Sequence, residues 1–256
     1  ARICDAIARA CQDLIDGQFR HSLIVDLMEG SGGTSTNMNA NEVIANRAQE
    51  ILGHTAGCYE VVHPNDHVNR SQSTNDAYPS AQKIATYEML APLVDALGEL
   101  AATFDRKAGE FADILHLGRT CLQDAQPMRL GHLFEGYAAL AHRLKAELVT
   151  VRGKLLTLPL GGTAIGTGFG APEGYRAAVY AHLAQLTGVP YVAPNNSFDA
   201  IQNMDTFSRV SAELRTCATA LAKIASDLTV LSSGPVGGLG DVRLPEGLAG
   251  SSIMPG

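Results

Sequence analysis

Apolar residues recur along this chain at intervals of three and four. Between residues 77 and 114, Ile84, Leu90, Leu93, Val94, Leu97, Leu100, Ala101, Phe104, Ala108 and Phe111 keep that spacing and predict one long helix, bent at Pro92. From 132 to 156, Leu133, Tyr137, Leu140, Leu144, Leu148, Val151 and Leu155 predict a second. The most regular run is Val210, Leu214, Cys217, Leu221, Ile224, Leu228 and Leu231, which alternates steps of four and three as in a helix seated in a bundle and makes Cys217 a core residue. The opening ARICDAIARACQDLIDG is periodic too, so the chain reads as starting inside a helix. Shorter helices are predicted at 39–52, capped by Asn41 or a neighbour, and at 172–187, opened by APEG and closed by Thr187 and Gly188. Period-two alternation is almost absent, so the pattern predicts a mainly α fold built on long helices.

Four polar or glycine-rich segments separate the helices: SGGTSTNMN (31–39), HPNDHVNRSQSTND (63–76), LGRTCLQDAQP (117–127) and GGTAIGTGFG (161–170). They carry more side-chain hydrogen-bonding groups than ordinary connections need. Thr34, Ser35 and Thr36 on one, and Ser71, Ser73, Thr74 and Asn75 on another, are neutral donors suited to holding a carboxylate where water is excluded. The same groups suit helix capping, with Asn37 and Asn39 before one helix and Thr74, Asn75 and Asp76 before the long one. The two readings are compatible, since an anion at a helix N-terminus uses the same groups. The glycine run 161–170 reads as a tight loop between helices. His63, Asp66 and His67 lack a third His or Cys ligand and are interrupted by Pro64, so they read as structural or anion-contacting and not as a metal site.

Composition narrows the classes further. At 256 residues the chain is long enough to bury a sizeable core, and with aromatics at 5% and no Trp that core is expected to be aliphatic. A net charge of −7 with scattered Lys and Arg argues against nucleic acid as a partner. Five cysteines (Cys4, Cys11, Cys58, Cys121 and Cys217), with no CxxC pair, suggest reduced thiols and a cytoplasmic setting. No apolar run reaches the roughly 18–20 residues of a membrane span, and the first residues lack the continuous apolar stretch of a signal peptide. There is no GxSxG, HExxH, GxxxxGK[ST] or strand-to-helix GxGxxG, so hydrolase, zinc-protease and nucleotide-cofactor readings lack their residues.

The stretches GTSTNMNANEVIANRA (33–48), HPNDHVNRSQSTNDAYPSA (63–81), GRTCLQDAQPMRLG (118–131), GTAIGTG (162–168) and GSSIMPG (250–256), in this order and at these separations, closely resemble the aspartase/fumarase superfamily. The resemblance covers essentially the whole chain, and SQSTNDAYP and GTSTNMNANE are more similar to the aspartases than to the class II fumarases. It implies a long-helix bundle truncated at both ends. Residues 1–256 would be part of the central helical domain, with most of an N-terminal domain, the later bundle helices and a C-terminal domain lying beyond them. The family's last motif continues as GSSIMPGKVNP in a flexible loop over the active site, so this chain would stop short of the loop's Lys and Asn.

The activity implied is a reversible anti-elimination of ammonia from L-aspartate to give fumarate, without cofactor or metal. It passes through an aci-carboxylate dianion that fixed donors must stabilise. By similarity, Ser251 is the general base, its alkoxide supported by loop N–H groups and the missing Lys, and Ser252 contacts a substrate carboxylate. Thr34, Ser73, Thr74, Asn75 and Thr120 match positions that bind the substrate's carboxylates and amino group, and His63, Asn65 and Asp66 match a second anion-contacting stretch. Cys121 departs from the family. It occupies a substrate-subsite position that is often His or Gln, so the proton-relay role carried by His does not transfer to it. The partners implied are a small dicarboxylate and copies of the same chain, in a homotetramer whose active sites each draw on three subunits. The isolated chain is expected to be inactive. The alternatives are a class II fumarase, differing only in the amino or hydroxyl subsite near Cys121, and a non-catalytic helical scaffold.

Overall fold

The computed structural model describes residues 2–26, 28–234, 236–245 and 247. It is mainly helical. The helices are α1 (Arg2–Ile15), α2 (Thr34–Ile51), α3 (Thr74–Glu110), α4 (Leu130–Lys154), α5 (Tyr175–Thr187), α6 (Ser197–Gln202) and α7 (Asp205–Leu231), and a hairpin of β1 (Leu115–Thr120) and β2 (Gln123–Arg129) lies between α3 and α4. The long helices begin within a few residues of where apolar periodicity put them. α3 remains a single helix through Pro92, and α5 ends at Gly188, which takes φ 69° and donates its N–H to the Ala184 carbonyl.

The chain divides into two compact units, Ala1–Met89 with Gly153–Thr206, and Leu90–Arg152 with Phe207–Gly256. In the first, α1 packs on α2 through Ala6, Ala10, Ala45 and Ala48, with Val62 and Val68 closing the cluster. Side chains this small let the helix backbones come close, and Arg47 Nε fixes the pairing by donating to Asp13 Oδ2 at 2.6 Å. Lys83 of α3 is buried and donates from Nζ to the Thr157 carbonyl at 2.9 Å, tying α3 to the chain that follows α4. Burial holds the Lys83 amine below its ordinary pKa, opposed by the negative charges of Asp205 and Asp199.

In the second unit, α3, α4 and α7 share one core: Ala101, Phe104 and Ala108 meet Leu130, Phe134, Tyr137, Ala138 and Ala141, with Ile224 from α7. The described core is mostly aliphatic as composition predicts, and its few aromatics are concentrated in this cluster. Phe111 and Phe134 lie 5.1 Å apart edge to face, and Phe104 and Tyr137 are 5.6 Å apart. On α7 the buried line is Val210, Cys217 and Ile224, one residue per heptad, so Cys217 is a core residue as its spacing predicts. Leu214 departs from the pattern and is exposed, since it flanks that line instead of facing the partner helices.

The polar segment 117–127, for which the sequence showed no strand pattern, folds into most of the hairpin. Leu115 pairs with Arg129 and Thr120 with Gln123, with an irregularity between Leu117 and Arg119. Cys121 and Leu122 form the two-residue turn at φ 50° and 62°, positive at both central positions as a type I′ turn requires. Such turns usually advertise themselves as Asn-Gly, and a Cys-Leu turn with Pro127 in the second strand gives no such signal.

Close approach sets the junction of α3 with α4. A Cβ added to Gly131 would lie 2.5 Å from the Ala108 carbonyl oxygen and 3.0 Å from Ala112 Cα, both backbone atoms that cannot swing aside. Gly131→Ala should therefore lower stability by about 1–3 kcal/mol in urea unfolding. Gly136→Ala, on the same helix with nothing within 4 Å, should leave stability unchanged or raised.

Candidate functional site

The start of α3 organises the site. Ser73 Oγ accepts from the Asn75 N–H at 3.2 Å, and the Ser73 N–H donates to Asp76 Oδ1 at 2.9 Å, a reciprocal cap of the capping-box kind. The other Asp76 oxygen, Oδ2, accepts from the Gly161 and Thr163 N–H groups at 3.0 and 2.9 Å. Asn75 adds a bond from Nδ2 to the Ala164 carbonyl at 2.8 Å. The glycine-rich loop is thus fastened to the helix N-terminus by one fully buried carboxylate and one amide. Burial pushes the Asp76 pKa up, and the N–H groups of Ser73, Thr163 and Gly161 pull it part of the way back.

Against this junction lies an open cleft of about 830 Å³, lined on one side by Asn65, Asn69, Ser71, Ser73 and Thr74 and on the other by Thr163, Ala164 and Thr167. Asn65, from the second anion-contacting stretch, thus lines the same cleft as Ser73 and Thr74, two of the substrate-contact candidates. Asn75 shares with Thr74 a neighbouring recess that reaches Glu29 and Tyr78. Thr34 is the first residue of α2, is exposed, and lines neither. His63 and Asp66 flank Asn65 without lining the cleft. His63 Nδ1 instead accepts from the Asn65 and Asp66 N–H groups at 3.2 and 3.3 Å, and His67 Nδ1 accepts from the His63 N–H at 3.0 Å. Both imidazoles spend Nδ1 on the backbone, which fixes the ring proton on Nε2. Among the described residues, no group of three or more His, Cys, Asp or Glu is arranged to hold a metal ion.

The start of α2 corrects the capping expectation. Asn37 and Asn39 lie inside the helix, which opens at Thr34 after Gly33 at φ 95°. Only glycine fits there, because a Cβ on Gly33 would fall 2.3 Å from the Tyr78 ring. Asn39 instead accepts from the Ile24 N–H and donates to the Ser22 carbonyl, and Asn37 Nδ2 donates to Thr74 Oγ1 at 3.1 Å. Glu29 accepts from Ser31 Oγ at 2.7 Å, and that hydroxyl, with Ser35 and the N–H groups of Gly33 and Thr36, holds its carboxyl below the usual range.

Thr120 and Cys121 sit at the exposed tip of the hairpin in the second unit. Their strand is anchored by Arg119, whose Nη1 donates to Asp241 Oδ2 at 2.5 Å, with both side chains about four-fifths buried. Ser251 and Ser252 lie outside the described residues.

A lyase family model matches residues 1–256, the entire chain. The chain belongs to the lyase family. Among curated members, the aspartate ammonia-lyase of Helicobacter pylori (strain ATCC 700392 / 26695) is 50% identical over 98% of this chain and 54% of its own length. That of Bacillus subtilis (strain 168) is 44% identical over 99% and 54%. Among solved structures, the fumarate lyase:delta crystallin from Brucella melitensis bound to cobalt superposes with a TM-score of 0.93 at 45% identity, covering 100% of this chain and 56% of that one. A recombinant class II fumarase from Schistosoma mansoni superposes with a TM-score of 0.94 at 33% identity, covering 100% and 57%. This lyase-family chain thus spans about half the length of the relatives it matches and shares their fold throughout.

Asp76 is the residue on which motif reading put too little weight. The signal was present in the Ser-x-x-Asp spacing from Ser73, but nothing in the sequence pairs residue 76 with 161 and 163. Asp76→Asn offers one acceptor oxygen where three N–H groups converge on two, and should lower stability by about 1–3 kcal/mol. Because the folded pKa is raised, the folded chain holds this proton more tightly than the unfolded chain. The Asp76 contribution is therefore greatest below the unfolded carboxylate pKa, falls as pH rises through the folded one, and is level above it. Urea midpoints followed from acid to neutral pH should show that decline in the wild type and lose it in Asp76→Asn.

Proposed function

We propose that the full-length protein is a carbon-nitrogen lyase that eliminates ammonia from L-aspartate to give fumarate. The observation that carries this reading is the orientation of two hydroxyls at the start of α3. Ser73 Oγ accepts from the Asn75 N–H, and Thr74 Oγ1 accepts from Asn37 Nδ2, which leaves each hydroxyl a proton to donate, on residues that line the cleft. Such donors at a helix N-terminus suit a carboxylate that gains negative charge as the reaction proceeds. Relatives that are aspartate ammonia-lyases, 44–50% identical over nearly the whole chain, support aspartate over other dicarboxylates.

The chemistry required is loss of a proton from the carbon beside one carboxylate, with the electron pair held as an aci-carboxylate until the neighbouring C–N bond breaks and ammonia leaves. Ser251 is the base in this reading and Ser252 a carboxylate contact, with Thr34, Asn75, Thr120 and Cys121 completing the substrate's surroundings and His63, Asn65 and Asp66 a second anion-contacting stretch. A homotetramer would assemble each site from three subunits, and a reducing cytoplasm suits the five free cysteines. Among the described residues, no helix is long and apolar enough to cross a membrane.

Absorbance at the fumarate band tests the reading on the full-length gene product. Fumarate should form from L-aspartate and not with Ser251→Ala, and Thr74→Val should lower kcat/KM about 10- to 100-fold, the loss expected for one hydrogen bond to a charged group. Fumarate formed only from L-malate would make the protein a fumarase, and none from either substrate would favour a helical scaffold.

A further inference from the structure

We propose that Thr163 is a further ligand-contacting residue, its hydroxyl donating to a carboxylate of the dicarboxylate bound in the cleft beside Ser73 and Thr74; this rests on the lyase reading above. Thr163 stands at φ 55°, a left-handed conformation that a β-branched residue rarely adopts. Gly161, Gly166 and Gly168 of the same loop also take positive φ, so the local fold asks for glycine at such points and has threonine at this one. The conformation is held from below, by the Thr163 N–H bonded to Asp76 Oδ2 at 2.9 Å.

The side chain is as unusual as the backbone. Thr163 is 6% exposed, and its Oγ1 is buried with no hydrogen-bond partner. A buried hydroxyl without a partner is unfavourable in the free protein, and an apolar residue of the same shape would remove that penalty. Position 163 thus meets neither the backbone's demand for glycine nor the interior's demand for an apolar group. It lines the cleft together with Asn65, Ser73 and Thr74, and one staggered step about χ1 carries its hydroxyl to the place its methyl holds, the methyl moving to that of the β-hydrogen. A hydroxyl kept at a strained point, unused by the protein, on the wall of a cleft of neutral donors is explained by a partner that arrives with the ligand. The ligand class that fits is an anion with carboxylate oxygens, because the other donors on that wall are uncharged and convergent.

The test uses the full-length protein, with fumarate as the thermal-shift probe and L-aspartate as substrate. Thr163→Val keeps the shape and removes the hydroxyl. It should leave the ligand-free melting temperature unchanged or raised, abolish most of the fumarate-induced shift, and lower kcat/KM about 10- to 100-fold. Thr163→Ser should restore both readouts, which a purely structural role would not predict. If Val destabilises the fold, the Ser and Ala variants make the same comparison, and a greater fumarate shift in Ser than in Ala is the expected result. Wild-type fumarate shift and turnover in Thr163→Val, or equal fumarate shifts in Ser and Ala, would overturn the proposal while leaving the lyase reading intact. A wild type that neither binds fumarate nor forms it from aspartate would overturn the lyase reading itself, and this inference with it.

Discussion

The Asp76 carboxylate is the interaction on which the candidate site depends. Its two oxygens serve two segments that are 85 or more residues apart in sequence: one closes the cap of α3 through Ser73, the other takes the N–H groups of Gly161 and Thr163. A buried carboxylate is tolerable only when its lone pairs are met, and here backbone donors meet them without a cationic side chain. Because the donors are backbone groups, the bond fixes the path of the glycine loop and not merely the position of a side chain. Ser73, Thr74 and Thr163 face one cleft as a result.

That arrangement has a chemical logic. Ser73 and Thr74 accept hydrogen bonds from the protein through their oxygens and so have protons to give, and Asn37 reaches from α2 to set one of them. Gly33 lets the preceding loop lie against the Tyr78 ring, which brings α2 near enough for that bond. Donors fixed before the ligand arrives need no reorganisation when charge develops, which is what stabilising a dianion demands.

The second unit is held by different means. Its core is a cluster of Phe104, Phe111, Phe134 and Tyr137 between α3 and α4, with the Tyr137 hydroxyl donating to Asp227 of α7 at 2.9 Å. The hairpin is tied at its base, where the Leu130 N–H donates to the Ile114 carbonyl at 2.9 Å, and through Arg119 to Asp241. A two-stranded hairpin has little stability alone, so these attachments are what fix Thr120 and Cys121 at its tip.

Periodicity alone determined the long helices, because an apolar stripe every three or four residues has only one way to be buried. α3, α4 and α7 lie within a few residues of their predicted spans, and Cys217 is in the core where its heptad position put it. Ordered motifs determined the family, and pointed to Ser73 and Thr74 as substrate contacts and to Asn65 as part of a second anion-contacting stretch. Tertiary structure alone decided what depends on contacts between distant segments. The Cys121-Leu122 turn has no turn chemistry and exists because strands and ion pair close around it. Asn37 and Asn39 look like caps but are used by other elements, and Thr163 is held in a left-handed conformation that its sequence disfavours by a carboxylate 87 residues earlier. Local preference yields wherever a non-local bond is stronger than the preference, and in this chain that happens at the edges of the cleft.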